Sequence, residues 1–253
     1  YAMASPHIQI LPTKTDLIQR SLELTVERIQ GAIATQGRCT LALAGGSTPK
    51  PLYAALAEQD LPWDKLFIFW GDERYVPTSH PDSNAGMAKE VWLDKVPIPV
   101  ENIVVAPTGS GDPRLDAEAY ERNIRRAFGD YEGFPQFDLI LLGMGDDGHT
   151  ASLFPHTDAL RERERLVTVG NKDGNPRLTF TVPLINNAKS IIFIVAGANK
   201  QLALEHIFAD QADAAPPGHI RGRVIGPDGE PVQGATIGIP GSRPFPPLRT
   251  LSA

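Results

Sequence analysis

The chain has 253 residues, 42% of them hydrophobic, enough to bury a large core as one domain or two small ones. A formal net charge of −6 excludes a broad nucleic-acid surface, which needs clustered Lys and Arg, but still allows an anionic small molecule held by a few well-placed cations. The lone cysteine, Cys39, excludes a disulfide framework, and no apolar run is long enough for a transmembrane helix, so a cytoplasmic protein without a membrane partner is expected.

The first residue is not Met, so the N-terminus reads as trimmed, and YAMASPHIQILPTK lacks the basic-then-apolar layout of a signal peptide. His7 to Leu11 reads as a short strand. From Asp16 to about Thr35, Leu17, Leu24, Ile29 and Ile33 among charged residues predict an amphipathic helix. Thr40 to Ala44 reads as a buried strand, followed by Gly45-Gly46-Ser47-Thr48-Pro49 and a helix over Pro51 to Leu56. Glycines after a strand and hydroxyls before a helix can cradle an anion on backbone N–H groups. No Gly-Lys-Ser/Thr follows, so this is not a P-loop. The plainer reading is an ordinary N-cap made by Ser47 or Thr48.

Leu66 to Trp70 is the next apolar run, and it ends in Gly71-Asp72-Glu73-Arg74. Charges at a strand's end are costly to bury without a purpose or a partner. The plainer alternative is that Arg74 pairs with Glu73 or Asp72 to brace the loop. The loop continues past Tyr75, His80 and Asp82-Ser83-Asn84 into a predicted helix, Ala85 to Asp94. Ile103 to Val105 reads as a short strand, and Leu115 to Phe128 has the alternating charge of a solvated helix.

The segment Phe137 to Pro155, FDLILLGMGDDGHTASLFP, organises the rest. Leu139 to Leu142 predicts a buried strand, and Gly143, Gly145 and Gly148 predict a sharp turn or close approach before His149. Thr150 to Phe154 reads as helix-like. A helix start disfavours imidazolium, so His149 would stay neutral and able to accept a proton. A histidine that merely caps a helix is the bland alternative; Asp146, Asp147 and the glycines weigh against it. Further on, Leu166 to Val169 and Arg177 to Val182 read as strands bridged by a polar loop, Asn171 to Pro176. Ile191 to Val195 is a strand ending in Ala196-Gly197-Ala198-Asn199-Lys200, with a helix over Gln201 to Ala209.

Four apolar runs, ending at Ala44, Trp70, Leu142 and Val195, thus stop at glycine-bearing polar loops, each followed by helix pattern. Alternating strands and helices imply an α/β fold: a mostly parallel sheet with right-handed crossovers and helices on both faces. In such a sheet the carboxyl ends share one edge, where ligands bind. GGST, GDER, GDDGH and GANK should therefore meet. Together they supply the cations Arg74, Arg177 and Lys200, the amides and hydroxyls of Gly45, Gly46, Ser47 and Thr48, and a base, His149. That set suits acid–base chemistry on a phosphorylated metabolite. His149 and His156 are seven apart with Pro155 between, and H-E-x-x-H spacing is missing, so neither a catalytic metal nor a cofactor is expected.

LALAGGSTP, FWGDER with the later DSNAGMA, LLGMGDDGHTASLFP, RLTFTVP and VAGANK occur in this order over about residues 8–210. As a set they resemble the 6-phosphogluconolactonase family. The resemblance implies the fold shared with glucosamine-6-phosphate deaminase and ribose-5-phosphate isomerase. It also implies hydrolysis of 6-phospho-D-glucono-1,5-lactone to 6-phosphogluconate in the oxidative pentose phosphate pathway. By motif position, His149 would be the general base and Asp147 its orienter. Arg74, Arg177, Lys200 and the Gly45–Thr48 loop would hold phosphate and developing charge, with Asp72 in the same substrate-binding set. The partner would be the phosphorylated sugar lactone, and the protein a monomer or weak homo-oligomer. One rival is a deaminase-type aldose–ketose isomerase using Asp72 to move a proton, although that family typically has Tyr where Arg74 stands. The other is a non-catalytic sugar-phosphate-binding module, against which an intact His149 and Asp147 speak.

Residues 1–215 read as the lactonase-like domain. Residues 216–253 are Pro/Gly-rich and depart from the family, which tends to finish with a strand and a Trp-Leu-Leu-Asp-like helix. Arg223 to Ile225 and Ala235 to Ile239 flank a Gly-Pro-Asp-Gly turn and read as a hairpin, not an independent domain. A frameshifted or fused gene end accounts for this segment as well as a structural variation does.

Overall fold

The computed structural model describes residues 7–208 and 236–240. Its strands, in chain order, are β1 (His7–Leu11), β2 (Cys39–Leu43), β3 (Leu66–Trp70), β4 (Asp72–Arg74), β5 (Leu139–Leu142), β6 (Val167–Lys172), β7 (Asn175–Phe180), β8 (Ile191–Ile194) and β9 (Thr236–Pro240). The α-helices are α1 (Lys14–Gln36), α2 (Lys50–Leu56), α3 (Asn84–Val91), α4 (Pro113–Ala127), α5 (Val182–Asn186) and α6 (Gln201–Phe208). Six strands make one sheet in the order β1-β9-β8-β5-β2-β3, and every pairing in it is parallel. Strands β4, β7 and β6 form a smaller antiparallel sheet. The fold is the mainly parallel α/β architecture that the alternation of elements implies.

The central strands are apolar on both sides because both faces of the sheet are covered. Leu41, Leu43, Ile68, Trp70, Leu139, Leu141, Ile192 and Ile194 join the core that contains α1, α2 and α3 residues. The alternate residues Ala42, Phe69, Ile140, Leu142 and Ile191 join the core formed with α4, α5 and the small sheet. Strand period two thus divides one set of strands between two layers. Helix α1 is bounded by chemistry its ends predict: Thr13 accepts a hydrogen bond from the Asp16 N–H (3.1 Å), and Gly37 ends it at φ 78°.

At the amino end of the sheet, Asp138 ties three strands together. Its buried carboxylate accepts from the Thr40 N–H (2.8 Å), the Thr40 hydroxyl (2.9 Å), Gln36 Nε2 (2.6 Å) and Lys189 Nζ (2.7 Å). At the carboxyl end, two buried tyrosines do comparable work. The Tyr53 hydroxyl accepts from the Ala44 N–H (2.9 Å) and donates to the Ala44 carbonyl (2.7 Å). Tyr120 makes the same pair of bonds with Trp70, at 2.8 and 3.0 Å. Each satisfies both backbone groups of a residue where the chain leaves the parallel ladder.

Several local expectations are corrected. Ile103 to Val105 does not form a strand: a single bridge joins Ile103 to Ile68, in a stretch flanked by Pro97, Pro99 and Pro107, which lack donors. The Asn171–Pro176 loop is instead the tip of the β6–β7 hairpin, whose turn residues Asp173 and Gly174 have φ of 53° and 85°. Asp72–Arg74 is a strand rather than a loop. Thr150 to Phe154 is not helical; Ala151 has φ 49°, and Thr150 bridges Leu153 across a tight turn. The helix after β3 ends at Val91, followed by a 3-10 turn at Leu93–Lys95. Thr236–Pro240, overlapping the expected hairpin's second arm, lies between β1 and β8 and is parallel to both. The other arm, Arg223 to Ile225, lies outside the described residues.

Candidate active site

The carboxyl ends of β2, β3, β5 and β8 open onto one cleft of about 240 Å³. Gly45, Gly46, Ser47, Thr48, Asp72, Arg74, His149, Arg177 and Lys200 all line it. Parallel register is what gathers them: Leu43 lies beside Trp70, and Leu142 beside Phe193, so the loops that follow leave the same edge. Asp147, beside His149, completes the set expected from the sequence. The Gly45–Thr48 segment is not spent on capping, since α2 starts after Pro49 with no side-chain cap bond.

His149 is held by its own loop. Its Nδ1 lies 2.6 Å from Asp147 Oδ1, and its backbone N–H donates to the same oxygen at 3.1 Å. An ionised carboxylate only accepts, so Nδ1 carries a proton, and Nε2 is the ring nitrogen left to exchange one. The ring also rests against Phe154, centroid to centroid 4.4 Å. Gly145 makes room for it: a Cβ there would stand 2.1 Å from Nδ1. Partial burial pushes the Asp147 carboxyl up, but the His149 ring and backbone N–H more than offset this and leave it below the ordinary carboxylate range. With no helix after His149, the dipole argument for its neutrality falls away; the Asp147 contact, not a helix start, fixes the imidazole.

Two cations stand together on the small sheet. Arg74 on β4 and Arg177 on β7 are paired residues of the antiparallel ladder. Arg74 Nη1 donates to the Asp82 carbonyl (2.7 Å) rather than to Glu73 or Asp72, and its Nε is buried without a hydrogen-bond partner among the described residues. The loop-bracing pair weighed from the sequence is therefore not what forms. Arg177 lies over the Phe154 ring at 5.7 Å. Burial and then the like charge of Arg74 draw its guanidinium below the usual arginine range. Lys200 is engaged by Asp146, which also accepts from Asn199 Nδ2 (2.8 Å), so the GDDGH and GANK loops are tied directly.

The two acids of β4 have different duties. Glu73 accepts from the N–H groups of Arg74 (2.8 Å), Asn84 (2.7 Å) and Ala85 (2.8 Å) and from the Ser83 hydroxyl (3.1 Å), fixing the start of α3. Burial raises its pKa despite those bonds. Asp72 accepts from the wholly buried Ser152 hydroxyl (2.7 Å), and its carbonyl accepts from Asn84 Nδ2 (2.9 Å). Ser152 and Asn84 were not singled out by sequence reasoning. The DSNA stretch before a helix was a signal for Asn84; nothing local marks Ser152.

The fold and cleft define a class: α/β proteins with a polar cleft at the carboxyl ends of a parallel sheet. Residues 12–225 match the family described as glucosamine-6-phosphate isomerases/6-phosphogluconolactonase, and the chain belongs to that family. A 6-phosphogluconolactonase of Nostoc sp. is 59% identical over 207 residues, 81% of this chain and 86% of that one. Another from Synechocystis sp. is 57% identical over 227 residues, 89% and 93% of the two chains. Among solved structures, the 6-phosphogluconolactonase of Thermotoga maritima superposes with a TM-score of 0.78 at 30% identity, covering 94% of this chain and all of that one. No helix among the described residues is long and apolar enough to cross a membrane.

Proposed function

We infer that the protein hydrolyses 6-phospho-D-glucono-1,5-lactone to 6-phosphogluconate, with His149 as general base. The observation that carries this reading is the meeting, in one cleft, of the Asp147-held imidazole and the cross-strand pair Arg74 and Arg177. The names of its relatives support the same substrate. His149 Nε2 takes a proton from water as the water oxygen bonds to the lactone carbonyl carbon. The resulting oxyanion is stabilised by donors of the glycine loops or by Arg74. The bond to the ring oxygen then breaks, and the protonated imidazole returns its proton to that oxygen as it leaves. Asp147 holds the productive tautomer throughout. Arg74, Arg177, Lys200 and the Gly45–Thr48 loop share the phosphate. Substrate phosphate would take over the Lys200 contact now made by Asp146.

A deaminase-type isomerase would need Asp72 free to move a proton between carbons, and here it is buried and bonded to Ser152. The same proposal includes a cytoplasmic protein, monomeric or weakly self-associating, with its catalytic groups within residues 1–215 and β9 contributing to its sheet. The test is to offer purified protein the lactone and, separately, glucosamine 6-phosphate. Lactone loss above the spontaneous rate with no ammonia release is expected; ammonia release, or binding of 6-phosphogluconate without turnover, would overturn it.

A further inference from the structure

Asn84 is the first residue of α3, 2% exposed, and one of the residues around the cleft. The direction of its amide is set by its partners. Nδ2 faces the Asp72 carbonyl at 2.9 Å and Asp72 Oδ1 at 3.5 Å, both acceptors, so the nitrogen must be on that side. That leaves Oδ1 on the other side, against Gly45, buried and without a hydrogen-bond partner among the described residues. Gly45 gives up a side chain to admit it, since a Cβ there would come within 1.9 Å of Oδ1. A buried acceptor with no donor is costly, and such atoms are rare in folded proteins. Here the atom sits beside the glycine loop of a site otherwise furnished with cations. Those cations suit a phosphate or an oxyanion, not a neutral hydroxyl. What an orphan acceptor suits is an incoming O–H.

We propose that Asn84 Oδ1 accepts a hydrogen bond from one ring hydroxyl of the substrate and so selects hydroxylated sugar lactones. The inference rests on the lactonase reading and adds to it a specificity-determining residue. It also explains why a glycine stands at 45. The amide then bridges β4, through Asp72, to the ring face of the ligand.

The experiment compares kcat/KM for the parent lactone with that for the 2-, 3- and 4-deoxy 6-phospholactones, in wild type and Asn84→Ala. Wild type should lose on the order of 10- to 100-fold on one deoxy substrate, the size of a single lost hydrogen bond. In Asn84→Ala the parent should fall to nearly the rate of that same deoxy compound, closing the ratio. A purely structural role would slow all substrates alike and leave the ratio intact, which would overturn the proposal. So would a wild type that treats all deoxy substrates within about threefold of the parent, a result that needs no variant. If Asn84→Ala does not fold, Asn84→Asp, which keeps an acceptor, and Asn84→Ser, which shortens it, carry the same comparison. Wild-type turnover of the parent tests the lactonase reading separately.

Discussion

Arg74 and Arg177 face each other as direct cross-strand partners on β4 and β7. Among the described residues neither guanidinium is neutralised by a paired carboxylate: Arg74 donates to the Asp82 carbonyl and Arg177 lies over Phe154. Like charges directly opposite in a ladder are destabilising by roughly 0.2–1 kcal/mol. On the proposed reading, the substrate's phosphate offsets that repulsion.

The first prediction follows. Replacing Arg177 with Met relieves the repulsion but loses the contact with Phe154, worth a comparable ~0.5–1 kcal/mol. Stability of the free protein should therefore change by less than about 1 kcal/mol. Stabilisation by 6-phosphogluconate, which raises the melting temperature of wild type by mass action, should be largely lost. Thermal unfolding with and without the product checks this; an undiminished shift in the variant would contradict it.

Gly145 is a sharper probe of the imidazole than its size suggests. A methyl there would collide with Nδ1 and Cε1 of His149, at 2.1 and 2.2 Å, and with Asp147 Oδ1 at 2.7 Å. The ring and carboxylate are side-chain ends that can swing away, so Gly145→Ala should fold nearly normally. Displaced from the attacking water, the base should lose on the order of 10²-fold or more in kcat. Steady-state kinetics beside product affinity measures the two effects. Wild-type kcat would mean that the ring position is not critical.

Asp147 makes a pH prediction with a definite sign. Its folded-state pKa is depressed by the His149 contacts, against burial that would raise it. A depressed carboxylate contributes stability that is fully present above its unfolded value, roughly 3.9, and lost as pH falls through the depressed value. The advantage of wild type over Asp147→Asn in urea unfolding should thus be present at neutral pH and shrink below about pH 4. An advantage that grows on acidification would contradict the assignment.

Tyr53 and Tyr120 each close a strand end by bonding both backbone groups of one residue. Removing either hydroxyl leaves a buried N–H and C=O unsatisfied, at a cost of about 1–3 kcal/mol. Tyr53→Phe, at Ala44 beside the Gly45–Thr48 loop, should in addition weaken product binding. Denaturant unfolding and calorimetric titration report the two effects; a stability change under about 0.5 kcal/mol for both variants would show that water replaces the hydroxyls.

What could be read in advance was the part set by burial on both sheet faces. Strands such as Leu66–Trp70 and Leu139–Leu142 announce themselves as apolar runs, and parallel pairing then places their loops together. Strand β4 was invisible because Asp72, Glu73 and Arg74 are all charged; its pairing depends on β7, remote in sequence. For the same reason no local pattern could reveal that Arg74 opposes Arg177. The five residues after His149 had too short a period to separate a turn from a helix, and Ala151 at φ 49° settles it as a turn. Asp173-Gly174 was a readable hairpin signal that a polar-loop reading passed over. Ser152 and Asn84 gain their roles only through Asp72, which long-range packing brings to them.

Lactone hydrolysis by wild type and His149→Asn, followed against the uncatalysed background, tests the account most directly. The expected result is turnover in wild type reduced by about 10²–10⁴-fold in the variant, with 6-phosphogluconate still bound nearly as tightly. Full activity in His149→Asn would contradict it.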